Sequence, residues 1–226
     1  MKLSKPLNKY FDHTLLKPEA SSAQIEKLCN EALKYDFYSV CVNSCYVGQC
    51  ADLLLGSDVK VAAVVGFPLG ACTTATKVFE TEEACKDGAR EIDMVLNVGM
   101  FKDGKYDYIR EDISEVVQAA SAYGAIVKVI LETCLLTKDE IKEACLLAKE
   151  SGAHFVKTST GFGSGGALAE DVKLMKSVVG DSMEVKASGG IRDYDTVMSM
   201  IEAGADRIGA SASVAVMEEG RNREII

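Results

Sequence analysis

Two lysines stand at the ends of short apolar runs, and each is followed by small residues and glycine. The runs are Phe155–Gly161 (FVKTSTG) and Glu184–Gly190 (EVKASGG). Burying an ammonium group is costly because the charged form loses its hydration. When two such groups lie close together, their repulsion lowers the pKa of one, which yields the neutral amine of Schiff-base chemistry. We therefore interpret Lys157 as a candidate nucleophile and Lys186 as the neighbour that supplies most of the change in its pKa.

A third candidate for chemistry is Asp93, in the segment Glu91–Val95 (EIDMV). The period-2 alternation of a strand places Asp93 on one face and the apolar Ile92 on the other. We expect the carboxylate to point into a polar interior, where it could balance an ammonium group and transfer protons. A structural ion pair with Lys128 or Lys157 is the alternative, and both roles could hold. Each of the two strand-end lysines could likewise pair with a carboxylate and merely close the structure.

Glycine-rich segments follow the late apolar runs and suggest a site for an anion. They are Gly161–Gly166, Gly189–Gly190 and Gly209–Ser213. Backbone N–H groups without side chains in front of them can point at a phosphate, and the N-terminus of a following helix adds positive potential. Ordinary turn glycines are the alternative interpretation, and Arg192 could add charge or form a surface pair.

The elements that must position these residues are short strands alternating with stretches of helical period. Such alternation predicts a parallel sheet covered by helices. The predicted strands are Tyr10–Thr14, Ser39–Val42, Val59–Val65, Ile92–Leu96, Ile126–Leu131, His154–Lys157, Met183–Lys186 and Arg207–Gly209. The predicted helices are Ser22–Lys34, Thr74–Lys86, Ile109–Tyr123, Lys138–Lys149, Ala169–Val178 and Tyr194–Glu202. A Gly-Ala pair precedes a strand four times, which favours one βα unit recurring around a ring.

Eight strands in 226 residues fit an α/β fold of one domain, the (β/α)8 TIM barrel. An open doubly wound sheet is the alternative, but no G-x-G-x-x-G segment follows the first strands. Barrels gather reactive groups at the carboxyl ends of their strands. That rule selects Asn43, Phe67–Pro68, Asp93–Asn97, Glu132, Lys157 and Lys186. We assign residues 1–220 to the barrel domain and 221–226 to a C-terminal tail, a candidate for disorder.

Composition and charge exclude several classes of protein. A net charge of −9 leaves no basic excess for nucleic acid, although a small anionic substrate needs only a local site. No apolar run reaches the roughly 18–20 residues of a membrane span, and Met1–Asn8 lacks the apolar core of a signal peptide. The eight cysteines form no C-x-x-C pair, so we expect them to be reduced in a cytoplasmic protein. The two histidines form no H-E-x-x-H motif, and we predict no metal.

Seven segments, taken in order, form a specific signature over about residues 10 to 216. They are Asp12–Pro18, Val40–Asn43, Gly66–Gly70, Glu91–Val95, Lys157–Gly161, Lys186–Arg192 and Gly209–Ser211. Together they resemble the deoxyribose-phosphate aldolases, a family of class I aldolases. The resemblance implies a (β/α)8 barrel without a metal or organic cofactor. It implies reversible cleavage of 2-deoxy-D-ribose 5-phosphate to D-glyceraldehyde 3-phosphate and acetaldehyde.

The same resemblance implies a role for each matching residue. Lys157 would form the Schiff base, Lys186 would lower its pKa, and Asp93 would relay protons with a water molecule. The substrate phosphate would rest on Gly161, Gly189, Gly190, Gly209 and Ser211. The expected partner is a small sugar phosphate, with neither nucleic acid nor membrane, and a homodimer or higher homo-oligomer is left open.

The sequence departs from the family pattern at two points. Ser44 stands where many relatives have proline. No tyrosine follows Tyr194, whereas some relatives carry one in a C-terminal tail that assists proton transfer.

A barrel lyase acting on a longer ketose is one alternative function. A sugar-phosphate-binding protein without catalysis is the other, and two buried lysines argue against it.

Overall fold

Eight parallel strands form a closed barrel whose carboxyl ends meet on one side of the molecule. The computed structural model describes residues 3–223. The strands are β1 (Phe11–Leu15), β2 (Ser39–Val42), β3 (Lys60–Val65), β4 (Glu91–Val95), β5 (Ile126–Ile130), β6 (Phe155–Lys157), β7 (Glu184–Ser188) and β8 (Arg207–Ala210). The α-helices within this range are α1 (Ser22–Tyr35), α2 (Val47–Leu53), α3 (Thr74–Lys86), α4 (Val98–Lys102), α5 (Tyr106–Ser121), α6 (Lys138–Glu150), α7 (Ala169–Val179), α8 (Tyr194–Glu202) and α9 (Ser213–Asn222).

The strands are hydrogen-bonded in sequence order, and β8 pairs with β1 to close the ring. This confirms the predicted (β/α)8 barrel and excludes an open sheet. Each predicted strand is present within two residues of its expected bounds. The helices α2 and α4 were not predicted, because seven and five residues are too few to show a helical period. Among the described helices, none combines the length and hydropathy that a membrane span requires.

Side chains alternate along the strands between an outer apolar core and the barrel interior. On β2 and β3, Val40 and Ala63 pack in the core between the barrel and its helices. Their neighbours Cys41, Ala62 and Val64 form a separate apolar cluster. This is the period-2 alternation of a strand, and it shows that the interior near β2 and β3 is apolar. The outer core therefore carries most of the hydrophobic stabilisation, which leaves the interior between the other strands free for charged side chains.

Polar side chains cap the N-termini of several helices. Thr73 accepts a hydrogen bond from the backbone of Thr76 at the start of α3, and Asp193 accepts one from Thr196 at α8. A capping box at Thr137 begins α6. Because such caps satisfy N–H groups that lack helical partners, they determine where each loop after a strand ends.

Helix α9 extends into the segment 221–226 that was assigned to a C-terminal tail. Helix α9 continues to Asn222, past the boundary placed at residue 220. Arg223 then forms ion pairs with Asp195 and Glu219. Residues 221–223 therefore belong to a helix end with defined contacts, and residues 224–226 lie outside the described part of the chain.

A buried ion pair joins α3 to α5 outside the barrel. The Lys77 ammonium donates to Asp112 at 2.5 Å and to the backbone oxygen of Val95, at the end of β4, at 2.9 Å. The Thr74 hydroxyl donates to the same carboxylate at 2.9 Å. Both charged side chains are fully buried and have lost their hydration. Each is therefore stabilised by the opposite charge of the other.

We expect Asp112→Asn to lower the free energy of unfolding by about 3–5 kcal/mol, because it leaves a buried ammonium without its counter-charge. The double variant Lys77→Met/Asp112→Leu should recover most of that loss, since buried pairs can be replaced by apolar groups at little cost. Urea unfolding measures both, with Glu83→Gln in the exposed Lys86–Glu83 pair as a near-neutral control. If the single and double variants lost the same free energy of unfolding, the unpaired Lys77 ammonium would not be the cause of the loss.

Candidate active site

The Asp93 carboxylate lies at the centre of the barrel interior and contacts three ammonium groups. Its Oδ1 accepts a hydrogen bond from Lys128 at 2.7 Å. Its Oδ2 accepts one from Lys157 at 2.8 Å and one from Lys186 at 2.8 Å. All four side chains are at most 3% exposed. The structure therefore brings the three predicted catalytic residues together, and both proposed partners of Asp93 are in contact with it.

A second layer of charges supports this contact from below. The Asp12 carboxylate lies 2.5 Å from the Lys186 ammonium and accepts from Arg207 Nε at 2.8 Å. The Glu91 carboxylate lies 2.5 Å from Lys128 and 3.0 Å from an Arg207 nitrogen. None of Asp12, Glu91 and Arg207 was predicted to lie in this layer, although the period-2 alternation of β4 places Glu91 on the same face as Asp93.

These side chains form an ionic cluster with one more cationic group than carboxylates. The cationic side chains are Lys128, Lys157, Lys186 and Arg207, and the carboxylates are Asp12, Glu91 and Asp93. A buried excess charge is costly in a medium of low dielectric constant. Loss of one proton from one lysine balances the cluster.

Lys157 is the lysine whose environment favours that loss. Burial lowers the pKa of Lys157, and the Lys186 ammonium lowers it further, while the Asp93 carboxylate opposes the change. Burial alone would lower the pKa of Lys186, but Asp12 and Asp93 raise it above its ordinary value. The pKa of Lys128 is raised as well, because Asp93 and Glu91 outweigh its burial. The direction at Lys157 agrees with the sequence-based expectation, but burial contributes more than the second ammonium.

The carboxylate at the centre stays ionised. Burial by itself would raise the pKa of Asp93, yet the surrounding lysines hold that pKa well below its usual range. The Cys41 thiol lies 3.9 Å from Asp93, and burial raises its pKa, so it stays protonated at neutral pH. Cys41 is thus both buried and adjacent to the ionic cluster.

A cavity of about 400 Å³ opens above the ionic cluster at the carboxyl ends of the strands. Of the lysines in the cluster, Lys157 alone lines it. The five predicted phosphate-binding residues all line it too: Gly161, Gly189, Gly190, Gly209 and Ser211. The exposed side chains of Lys17 and Arg192 contribute positive charge, and no carboxylate side chain occurs among the described residues that form its wall.

The glycine turns present their backbone to this cavity. Gly161, Gly189 and Gly190 have φ values of 85°, 91° and 76°, in the left-handed region that glycine adopts without strain. Within the described part of the chain, their N–H groups donate to no other residue. Helix α9 begins just beyond Ser211, which adds the positive end of a helix of ten residues. The arrangement suits a phosphate group.

Gly209 has a further structural reason to lack a side chain. A Cβ at this position would lie 3.0 Å from Cε of Lys186 and 3.0 Å from Cβ of Ser188. The missing side chain therefore leaves room for Lys186 to cross the barrel towards Asp93.

The other strand-end residues that the barrel rule selected support the loops around the cavity. The Asn43 amide donates to the backbone oxygen of Leu16 at 3.3 Å. Phe67 and Phe162 form an edge-to-face pair with ring centroids 5.3 Å apart. Glu132 accepts hydrogen bonds from Thr160, which lines the cavity.

A metal site is not formed by the side chains of residues 3–223. No group of three or more His, Cys, Asp or Glu side chains in this range is arranged to hold a metal ion. The three carboxylates of the ionic cluster each contact cationic side chains instead.

Comparison with known proteins places the chain in a family. The sequence profile described as "DeoC/LacD family aldolase" matches residues 7–223. A protein of Bdellovibrio bacteriovorus named deoxyribose-phosphate aldolase is 60% identical over 214 residues, which are 95% of this chain and 96% of that protein. A protein of Coprothermobacter proteolyticus with the same name is 61% identical over 214 residues, covering 95% of this chain and 97% of its own length.

A solved structure agrees with these sequence relatives. The tetrameric deoxyribose phosphate aldolase of Aeropyrum pernix superimposes with a TM-score of 0.89 at 33% identity, covering 95% of this chain and 90% of that one. The barrel, the buried lysines and the glycine turns thus occur in a chain similar to these aldolases over nearly its full length. The chain belongs to the DeoC/LacD aldolase family.

Proposed function

We propose that this chain catalyses the reversible retro-aldol cleavage of 2-deoxy-D-ribose 5-phosphate to D-glyceraldehyde 3-phosphate and acetaldehyde through a Schiff base on Lys157. One observation carries the proposal: Lys157 is the lysine of the ionic cluster that reaches the cavity, and its pKa is lowered. The relatives named deoxyribose-phosphate aldolase support this substrate over a longer ketose.

Substrate binding orients the reacting carbons. The phosphate rests on the N–H groups of the glycine turns at Gly161 and Gly189–Gly190 and at the start of α9. The open-chain sugar then extends from these turns towards Lys157 on the same cavity wall. Holding the aldehyde carbon near the amine removes much of the entropic cost of their reaction.

The chemical steps begin with the neutral amine of Lys157. The neutral amine attacks C1, and loss of water gives an iminium ion. The iminium withdraws the electron pair of the C2–C3 bond as the C3 hydroxyl gives up its proton, which releases C3–C5 as D-glyceraldehyde 3-phosphate. The enamine left on Lys157 is protonated at its terminal carbon, and hydrolysis of that iminium releases acetaldehyde and restores the amine. The protonated imine acts as the electron sink.

Asp93 and Lys186 control proton transfer and the protonation state of Lys157 during these steps. Asp93 lies beneath Lys157 and is absent from the cavity wall, so it exchanges protons with the substrate through a water molecule. Because the pKa of Asp93 is low, it holds such a proton only transiently. Lys186 keeps its own proton and favours the neutral form of Lys157.

Location and assembly are part of the same proposal. All eight cysteines are free in the structure, which supports a reducing compartment such as the cytoplasm. The tetrameric relative from Aeropyrum pernix supports assembly of this chain into a homo-oligomer.

Trapping with sodium borohydride in the presence of acetaldehyde tests the proposed function. We expect an ethyl group on Lys157, because reduction of the iminium fixes the carbon chain to the nitrogen. Lys157→Met should abolish both labelling and cleavage of deoxyribose 5-phosphate while circular dichroism stays unchanged. Lys60→Met, at an exposed position, is the control and should label as the wild type does. A label confined to other lysines would refute the assignment.

The dependence of kcat/KM on pH tests the charge of Lys186. Activity falls as the pH drops below the pKa of Lys157, because the protonated amine cannot attack. Lys186→Met removes a cation beside Lys157, so that pKa should rise and the acidic limb should move up by about 1 pH unit or more. Lys186→Arg keeps the positive charge and should move the limb less. If the limb of Lys186→Met coincides with that of the wild type, burial alone sets the pKa of Lys157.

Asp93→Asn should move the same limb in the opposite direction. Asp93 raises the pKa of Lys157, so neutralising it lowers that pKa and shifts the limb to lower pH. The loss of proton transfer should also reduce kcat by about 10²–10⁴-fold. A thermally unstable variant with near-normal kcat would instead show that Asp93 is only a structural ion-pair partner.

Paired substitutions at Gly190 test the phosphate site. The φ of 76° is tolerated by Asn and Asp better than by other side chains, and nothing lies within 4 Å of a Cβ placed there. Gly190→Asp and Gly190→Asn have nearly the same shape, but only the first adds a negative charge. We expect Gly190→Asp to raise KM for deoxyribose 5-phosphate about tenfold over Gly190→Asn, since like charges repel. For unphosphorylated deoxyribose the two variants should be equivalent; a difference there would point away from the phosphate.

A further inference from the structure

Glu132 occupies an unusual backbone conformation just beyond β5. Its φ of 56° and ψ of 62° lie in the left-handed region, which a residue with a Cβ adopts at a cost of about 1–3 kcal/mol. The residue is 5% exposed, so its side chain is also largely removed from water. Such a conformation persists where surrounding contacts impose it, and it is common near functional sites.

Those contacts join Glu132 to the segment that follows β6. The Glu132 carboxylate accepts a hydrogen bond from the Thr160 hydroxyl, and its Oε1 accepts one from the Thr160 backbone at 3.3 Å. On either side of Glu132, the backbone of Leu131 donates to Lys157 at 2.9 Å and that of Thr133 donates to Thr158 at 2.9 Å. Three consecutive residues after β5 therefore bind the strand end that carries Lys157.

The glycine-rich loop packs directly on this carboxylate. A Cβ at Gly163 would lie 3.1 Å from Cδ of Glu132, and one at Gly165 would lie 2.8 Å from Cβ of Cys134. Side chains at these two positions would separate the loop from Glu132. The loop conformation thus depends on its contact with the carboxylate.

The hydrogen bonds of Glu132 hold a turn whose central residue, Gly161, lies in the cavity wall. Thr160 uses both its donors on Glu132, and its hydroxyl oxygen accepts from the Phe162 backbone at 3.0 Å. Gly161, between them, lines the cavity, and its N–H donates to no other described residue. Glu132 itself is absent from the cavity wall.

We propose that Glu132 is a positioning residue for the substrate phosphate: it orients the Thr160–Phe162 turn so that the Gly161 N–H points at the anion. This inference rests on the proposed function, since it assumes a phosphorylated substrate in the cavity. A carboxylate suits the task because both of its oxygens accept, and Thr160 offers two donors. A glutamine has one accepting oxygen, and its NH₂ group would face a donor.

Glu132→Gln tests the inference by steady-state kinetics on deoxyribose 5-phosphate and on unphosphorylated deoxyribose. We expect KM for the phosphorylated sugar to rise about tenfold, in proportion to lost binding energy. The kinetic constants for the unphosphorylated sugar should stay within about twofold of wild type. Inorganic phosphate should inhibit the variant more weakly than it inhibits the wild type. Asp112→Asn, which loses a buried carboxylate that is absent from the cavity wall, is the matched control and should keep the wild-type ratio of KM values.

A second variant keeps the test decisive if Glu132→Gln does not fold. Thr160→Val removes the donating hydroxyl and should also raise KM selectively for the phosphorylated sugar. Where both variants fold, KM of the double variant for the phosphorylated sugar should rise no more than in the more strongly affected single variant, because the two residues act as one unit. Equal losses on both sugars, or unchanged KM values in a folded variant, would overturn the inference. Failure of wild-type trapping with acetaldehyde would instead overturn the proposed function.

Discussion

One carboxylate bonded to three ammonium groups in a closed barrel is the constraint on which the rest of the structure depends. Asp93 reaches Lys128, Lys157 and Lys186 from a single strand, and it can do so because parallel strands bring their inward side chains to one level. Removing that charge would leave the buried cations in excess of the remaining carboxylates, Asp12 and Glu91, at a cost of about 3–5 kcal/mol. The interior around Asp93 is therefore polar, and most of the hydrophobic stabilisation comes from the outer core beneath the helices.

The ionic cluster assigns different tasks to chemically identical side chains through their surroundings. Lys186 and Lys128 each contact two carboxylates at hydrogen-bond distance, and each stays charged. Lys157 contacts one carboxylate and faces the cavity. That single carboxylate does not offset the effect of burial, so the pKa of Lys157 is lowered. The difference of one ion-pair partner thus separates the proposed nucleophile from two lysines that keep their protons.

Much of this arrangement could be predicted from the sequence where the signal is local. A lysine followed by small residues and glycine marks a strand end at Lys157, whereas β7 continues past Lys186 to Ser188. Alternation in β4 places Asp93 inside the barrel. The contacts of Asp12 with Arg207 could not be predicted, because the two residues are 195 positions apart and meet only when β8 closes on β1. The conformation of Glu132 was equally inaccessible, since no residue type there indicates a positive φ. Long-range register and backbone strain come from closure of the barrel, which local patterns do not encode.

The absence of a side chain at Gly209 limits how the binding site can change over evolution. Gly209 lines the cavity in which we propose that the substrate phosphate binds, and it also lies against Lys186, whereas nothing lies within 4 Å of a Cβ placed at Gly190. A substitution at Gly209 would therefore disturb anion binding and the charge balance of the barrel at once, and selection would act on both losses together. Descendants that abandon phosphorylated sugars can diverge at Gly190 while Gly209 stays invariant. The two glycines would thus accept mutations at very different rates, although both line the same cavity.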